Sequence, residues 1–173
     1  METTKNAMPE YTNMFFNKLK NYLDTKIDFF GSVQREDYFP KQSDIDVAIF
    51  TDNIKRTLSQ PKNFLQIDSS ELHNIVWRLN VDDSLVNGYK VMYKEPERNL
   101  VVEISIYDET FKHGILSEYN GKRELPSVVI CLLMIIKYFH YSLSIIPNEW
   151  YTYLKRFVLS TVIFLKEDDF VVF

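Results

Sequence analysis

The chain has 173 residues, 46% of them hydrophobic and 15% aromatic, and a formal net charge of −4. That length fits one domain with a substantial core, and the composition excludes intrinsic disorder. The acidic balance excludes bulk electrostatic attraction to nucleic acid or to an acidic membrane, though not a local basic patch.

Tyr11, Phe15, Leu19 and Leu23 recur every fourth residue, which predicts an amphipathic helix over about residues 10–25. Ile27–Phe30 is short and apolar, a buried strand that stops at Gly31-Ser32. Ser32 is placed as the N-cap of a short helical turn beginning near Val33 and bounded by Pro40. Asp44–Phe50 predicts a second strand, with Asp44, Asp46 and Ala48 on one face and Ile45, Val47 and Ile49 on the other. Thr51-Asp52-Asn53 offers caps for a helix that must end or bend by Pro61.

Ser70 is expected to cap a further helix, because Leu72, Ile75, Val76 and Leu79 fall at i, i+3, i+4 and i+7. Asn87-Gly88 signals a turn. Tyr89–Tyr93 and Leu100–Tyr107 then predict an antiparallel hairpin closed around Pro96.

The last third predicts helices. Phe111, Ile115, Leu116 and Tyr119 share one face, closed by Gly121 in the C′ position. Val128–His140 is apolar nearly all round, a central helix. Pro147-Asn148 starts a third, with Trp150, Leu154, Phe157, Val158, Thr161 and Leu165 on one side. The tail, Phe170–Phe173, is ambiguous. The pattern is α+β: a mixed sheet with helices on one face, followed by a C-terminal helical bundle. Residues 1–110 form the core and residues 111–173 the helical part packed on it, as one compact unit.

Cys131 is the single cysteine, so no intrachain disulfide forms, which fits a reducing, cytoplasmic compartment. Its apolar neighbours predict a small buried hydrophobe. His73, His113 and His140 lack metal-ligand spacing, which argues against zinc. The opening METTKNAMPEY has neither the basic nor the apolar region of a secretory signal. From Leu125 to Pro147 the one formal charge is Lys137. Near the centre of a bilayer Lys137 would cost about 2.5–3.5 kcal/mol, so a buried helix is expected there and not a membrane span.

Chemistry concentrates between Phe29 and Phe50. A strand broken at Gly31-Ser32 lets backbone approach a ligand. About ten residues later, Asp44-Ile45-Asp46 places two carboxylates on one strand face. Gly31-Ser32-Val33-Gln34-Arg35 followed by Ser43-Asp44-Ile45-Asp46-Val47 resembles the signature of the DNA polymerase beta-like nucleotidyltransferase superfamily, most closely its small single-domain members. The close match covers about 22 residues, and element order matches loosely over about 110. No Gly-Lys-Ser/Thr follows Gly31-Ser32, which excludes a P-loop hydrolase.

The resemblance implies a third acid on a later strand. Glu103, between Val102 and Ile104, fits, sharing a face with Ser105 and Tyr107; Asp108 is the competitor on the other face. In such a family Asp is the commoner residue at that place. The resemblance implies transfer of an NMP from an NTP to an acceptor hydroxyl, with Asp44, Asp46 and Glu103 both catalytic and metal-holding. Two Mg²⁺ ions, with Mn²⁺ as a substitute, would be held by these oxygen ligands and the substrate phosphates. Gly31 and Ser32 would approach the phosphates. Arg35 would reach one too, or remain a solvated helix residue.

No dense Lys/Arg stripe is present, so a small molecule or a protein is the favoured acceptor, ahead of a nucleic-acid end. The other reading is a non-catalytic, antitoxin-like module that binds nucleotide or a helical protein partner.

Overall fold

The computed structural model describes residues 2–80, 82–163 and 171–172. Helix α1 (Glu10–Leu23) turns Phe15, Phe16, Leu19 and Leu23 inward and ends at Asp24, in the left-handed conformation. Strand β1 (Asp28–Phe30) runs into a 3-10 turn over Gly31–Gln34. Strand β2 (Ile45–Thr51) follows, and then α2 (Ile54–Leu65), capped by the Asn53 side chain, which accepts from the Arg56 N–H. Next come β3 (Leu72–Arg78), β4 (Leu85–Glu95) and β5 (Leu100–Asp108). Three helices follow, α3 (Lys112–Arg123), α4 (Ser127–Tyr141) and α5 (Asn148–Ile163), and a two-residue strand, β6 (Val171–Val172).

The strands form one mixed sheet in the order β1-β2-β5-β4-β3-β6. Among the described residues only the β2–β5 pair is parallel. Strand alternation sends Ile45, Val47 and Ile49 of β2 and Val102, Ile104 and Ile106 of β5 to one face, where they meet Phe15, Phe16 and Leu19 of α1 and Leu65 of α2. The opposite face buries Ala48, Phe50, Trp77 and Tyr107 with Ile115 of α3. Val129 and Leu133 of α4 and Val158 of α5 form a smaller cluster with Leu125. This is the expected α+β architecture: mixed sheet, α1 and α2 on one face, and a helical C-terminal part.

Several expectations for single elements do not hold. Residues 72–78 are a strand. Ile75, Trp77 and Leu79 alternate inward, and β3 pairs with β4 along its whole length. Ile75, Val76 and Trp77 suit a pleated, half-buried surface. The cap expected at Ser70 is instead Asp68, whose capping box with Glu71 closes a 3-10 turn over Ser69–Glu71. Asn87-Gly88 lies inside β4, not at a turn. Gly88 is opposite Tyr107, and a Cβ there would lie 2.5 Å from the tyrosine ring. The chain reverses instead between Leu79 and Ser84, where the Leu79 N–H donates to the Ser84 carbonyl at 2.9 Å.

Helix α2 continues through Pro61 and stops where Gln66 turns left-handed. Gly121 lies within α3 rather than after it. Ser32 is the second residue of the turn over Gly31–Gln34, not its cap. Helix α4 is not central: its buried positions are Val129, Leu133 and Lys137, whereas Val128 is 71% and Ile135 51% exposed. Cys131 is exposed on the same helix. On α5, Val158 is buried but Trp150 and Phe157 are exposed. Leu165 and the ends of the 170–173 tail lie outside the described residues, while Val171–Val172 pairs with β3.

Among the described residues no single helix is long and apolar enough to cross a membrane. The one pair that passes on length and composition, Glu109–Arg123 with Ser127–Tyr141, is bent by 80°.

Candidate active site

The site is one row of the sheet and the loop that covers it. Phe30 pairs with Asp46, Asp46 with Glu103, and Glu103 with Met92, across β1, β2, β5 and β4. Side chains in such a row share a face, so the parallel β2–β5 pair sets the Asp46 and Glu103 carboxylates side by side. Asp44 lies two residues ahead of Asp46, just before β2 begins. Gly31, Ser32, Arg35, Asp44, Asp46 and Glu103 all line one cavity of about 200 Å³. The expected residues are therefore brought together.

Gly31 is held at a φ of 71°. That region favours glycine, and the close approach demands it: a Cβ on Gly31 would overlap the Asp46 carboxylate, with Asp46 Cγ 2.9 Å away. Among the described residues the buried hydroxyl of Ser32 has no hydrogen-bond partner. Buried polar atoms are normally satisfied, so an orphan hydroxyl on a cavity wall points to a ligand.

Arg35 is buried, not solvated. It lines the cavity and forks onto Asp37, with Nε donating to Oδ1 at 2.8 Å and Nη2 to Oδ2 at 3.2 Å. Burial alone would raise the Asp37 carboxyl, but the bonds to Arg35 and Lys137 bring it below the usual range. Asp108, the competitor to Glu103, is at the far end of β5. It accepts from the Thr110 N–H at 2.9 Å and from the Thr110 hydroxyl at 2.6 Å, capping the next turn.

Burial pushes the Asp46 carboxyl up to about 8, and the charges of Asp44 and Glu103 add to the rise. Lys155 and Lys90 pull it the other way. The site is thus a crowded anion pair or triplet that a cation would relieve. Lys90 already answers Glu103, at 2.8 Å. Among the described residues no three His, Cys, Asp or Glu side chains form a ready-made metal cluster. The donor set nevertheless fits Mg²⁺, which takes one or two carboxylates and completes its shell with water and substrate phosphate.

Three cations on the cavity wall, Lys90, Lys122 and Lys155, had no sequence signal of their own. Lys90 was within reach: it sits two residues from the partner of Glu103, on the same face of β4. Lys122 and Lys155 arrive from α3 and α5 through tertiary packing. An aromatic floor lies beside them. Phe30 stacks on Tyr119 at 3.9 Å between centroids, and the Tyr107 and Tyr119 hydroxyls are 3.2 Å apart. Burial, then the neighbouring Tyr107, raises the Tyr119 hydroxyl well above its ordinary value, so it stays neutral.

Residues 13–116 match the family model for the nucleotidyltransferase domain. No curated protein sequence matches the chain. Among solved structures, the conserved protein GrpB from Enterococcus faecalis is 16% identical, with 92% of this chain and 97% of that one covered and a TM-score of 0.48. The polymerase core of TRAMP, an RNA surveillance complex, is 16% identical over 84% of this chain and 47% of that one, with a TM-score of 0.43. Cid1, described with an RNA terminal uridylyl transferase activity, is 11% identical over 77% and 41%, with a TM-score of 0.38. The chain thus spans less than half the length of the last two. The family match runs through more than half of the sequence, from within α1 into α3, and takes in Gly31, Asp44, Asp46 and Glu103; the chain belongs to the nucleotidyltransferase domain family, within the DNA polymerase beta-like superfamily.

Proposed function

We propose that the protein transfers an NMP from an NTP to an acceptor hydroxyl on a small molecule or a protein, with Mg²⁺ or Mn²⁺. The observation that carries this reading is the cross-strand Asp46–Glu103 pair lying directly against the Gly31-Ser32 turn. Asp44 and Asp46 are the residues that would hold the metal, with Glu103 sharing it. Bound there, the ion would neutralise charge building on the transferred phosphate and lower the pKa of the attacking hydroxyl.

The chain's own groups do the rest. Gly31 lets backbone close on the phosphates. The Ser32 hydroxyl donates to a phosphate oxygen, which satisfies it. Glu103, its position fixed by Lys90, accepts the proton of the acceptor hydroxyl. The net charge of −4, with cations gathered on the cavity wall, supports a small or protein acceptor over a long nucleic acid.

Binding tests the reading. Wild-type protein is expected to gain thermal stability from Mg²⁺ with at least one of the four NTPs. Ser32→Ala should weaken that NTP by roughly 1.5–3 kcal/mol, the worth of one hydrogen bond to a charged group. Without ligand the variant should be at least as stable, because its orphan hydroxyl is gone. Unchanged affinity by calorimetry would make the turn structural only.

A further inference from the structure

The one charge in the apolar run of α4 is buried and aimed at the loop between Ser32 and Asp44. Lys137 is 2% exposed, and Asp37, which it meets, is 0%. The ammonium donates to the Asp37 backbone carbonyl at 2.7 Å and lies 2.9 Å from the Asp37 carboxylate and 3.4 Å from the Ser43 hydroxyl. These contacts tie both ends of the loop over the site. At one end Asp37 holds Arg35, whose N–H closes the turn onto the Ser32 carbonyl at 2.9 Å. At the other, Ser43 accepts from the Phe39 N–H at 3.1 Å and returns its own N–H to the Phe39 carbonyl at 2.8 Å. Asp44 is the next residue.

Stability alone does not account for Lys137. Arg35 already pairs with Asp37 through two bonds, so the second cation leaves the buried group with an excess positive charge. Burying charge costs free energy unless every bond is made, and burial pushes the Lys137 ammonium down against the pull of Asp37. Lys155 and Arg35 add to that push. The same stripe of α4 holds Val129 and Leu133, so an apolar residue would suit the position by packing.

We infer that Lys137 is a positioning residue: it fixes the Ser32–Asp44 loop so that the phosphate-facing turn and the first carboxylate face each other. It lies beyond the family-matched segment, which ends at residue 116. The C-terminal helical part is therefore needed to complete the nucleotide site. The inference rests on the proposed nucleotidyl transfer, but its test has a readout that does not.

Lys137→Met keeps length and volume and leaves Arg35 paired with Asp37, so the fold is expected to survive; Lys137→Gln keeps a donor on a shorter stem. Leu133→Ala, which opens a cavity in the same stripe, is the control for destabilisation alone. Hydrogen–deuterium exchange should show protection lost over residues 35–46 in Lys137→Met, partly kept in Lys137→Gln, and kept in Leu133→Ala even where its Tm is lower. With Mg²⁺ and the preferred NTP, affinity should fall about tenfold or more in Lys137→Met, the usual effect of losing a support behind a binding group. In Leu133→Ala it should not change. Unchanged loop protection in both Lys137 variants, or equal losses in Leu133→Ala, would overturn the positioning role. A wild type that binds no NTP would contradict the proposed function, and the exchange comparison would still decide the role of Lys137.

Discussion

Replacing Asp46 or Asp44 by asparagine is expected to abolish nucleotidyl transfer without lowering stability. An amide keeps the shape and one oxygen but loses the charge that holds Mg²⁺ against water. A catalytic metal supplies several kcal/mol to the transition state. At about 1.4 kcal/mol per tenfold, activity should fall roughly a thousandfold. For Asp46 the stability effect has a pH signature. In the unfolded chain an aspartate loses its proton near pH 4, whereas the fold holds that of Asp46 to about 8. Between these values the folded state binds the additional proton, so wild-type stability falls as pH rises through the window. Asparagine has no proton to lose. Asp46→Asn should therefore match the wild type near pH 4 and melt higher near pH 8, in the absence of metal. Thermal melts at the two pH values check the sign, and a variant less stable than wild type at pH 8 would refute the crowded-anion account.

Gly31→Ala should be nearly as damaging, for a steric reason. A methyl group at a φ of 71° costs about 1–2 kcal/mol in the left-handed region. It also overlaps the Asp46 carboxylate and approaches Asp46 Cβ to 3.2 Å. The carboxylate must then leave its place against the Gly31-Ser32 turn. A misplacement of about 1 Å at a reacting centre costs on the order of a hundredfold in rate, so kcat/KM should fall at least that far. Gly121→Ala is the contrast: nothing lies within 4 Å of a Cβ there. In a helix interior the change should stabilise by roughly 0.5–1 kcal/mol and leave activity alone.

The site was more readable in the sequence than the fold around it. Gly31-Ser32 and Asp44-Ile45-Asp46 lie within one short stretch, so strand alternation was enough to put both aspartates on one face. The same alternation favoured Glu103 over Asp108, and the sheet register sets Glu103 beside Asp46. Residues 72–79 are ambiguous in the sequence, because Leu72, Ile75, Val76 and Leu79 satisfy a helical spacing while Ile75, Trp77 and Leu79 satisfy a strand spacing. Pairing with β4 decides between them, and pairing is not a local property. Gly88 looked like a turn residue, but its small size serves the Tyr107 ring across the strand pair. Lys137 stood out as a lone charge in an apolar run. Its partner, Asp37, is 100 residues away, so only the tertiary fold turns a charge awkward in a membrane into a support for a loop.

Pyrophosphate release tests the central claim most directly. Wild-type protein with Mg²⁺ or Mn²⁺, each of ATP, GTP, CTP and UTP, and a panel of small-molecule and protein hydroxyl acceptors should release pyrophosphate with one preferred NTP. Release should depend on the divalent ion and should be lost in Asp46→Asn, while the fold persists. Release that survives Asp46→Asn, or a wild type that neither releases pyrophosphate nor shifts its melting temperature with any NTP, would contradict the account.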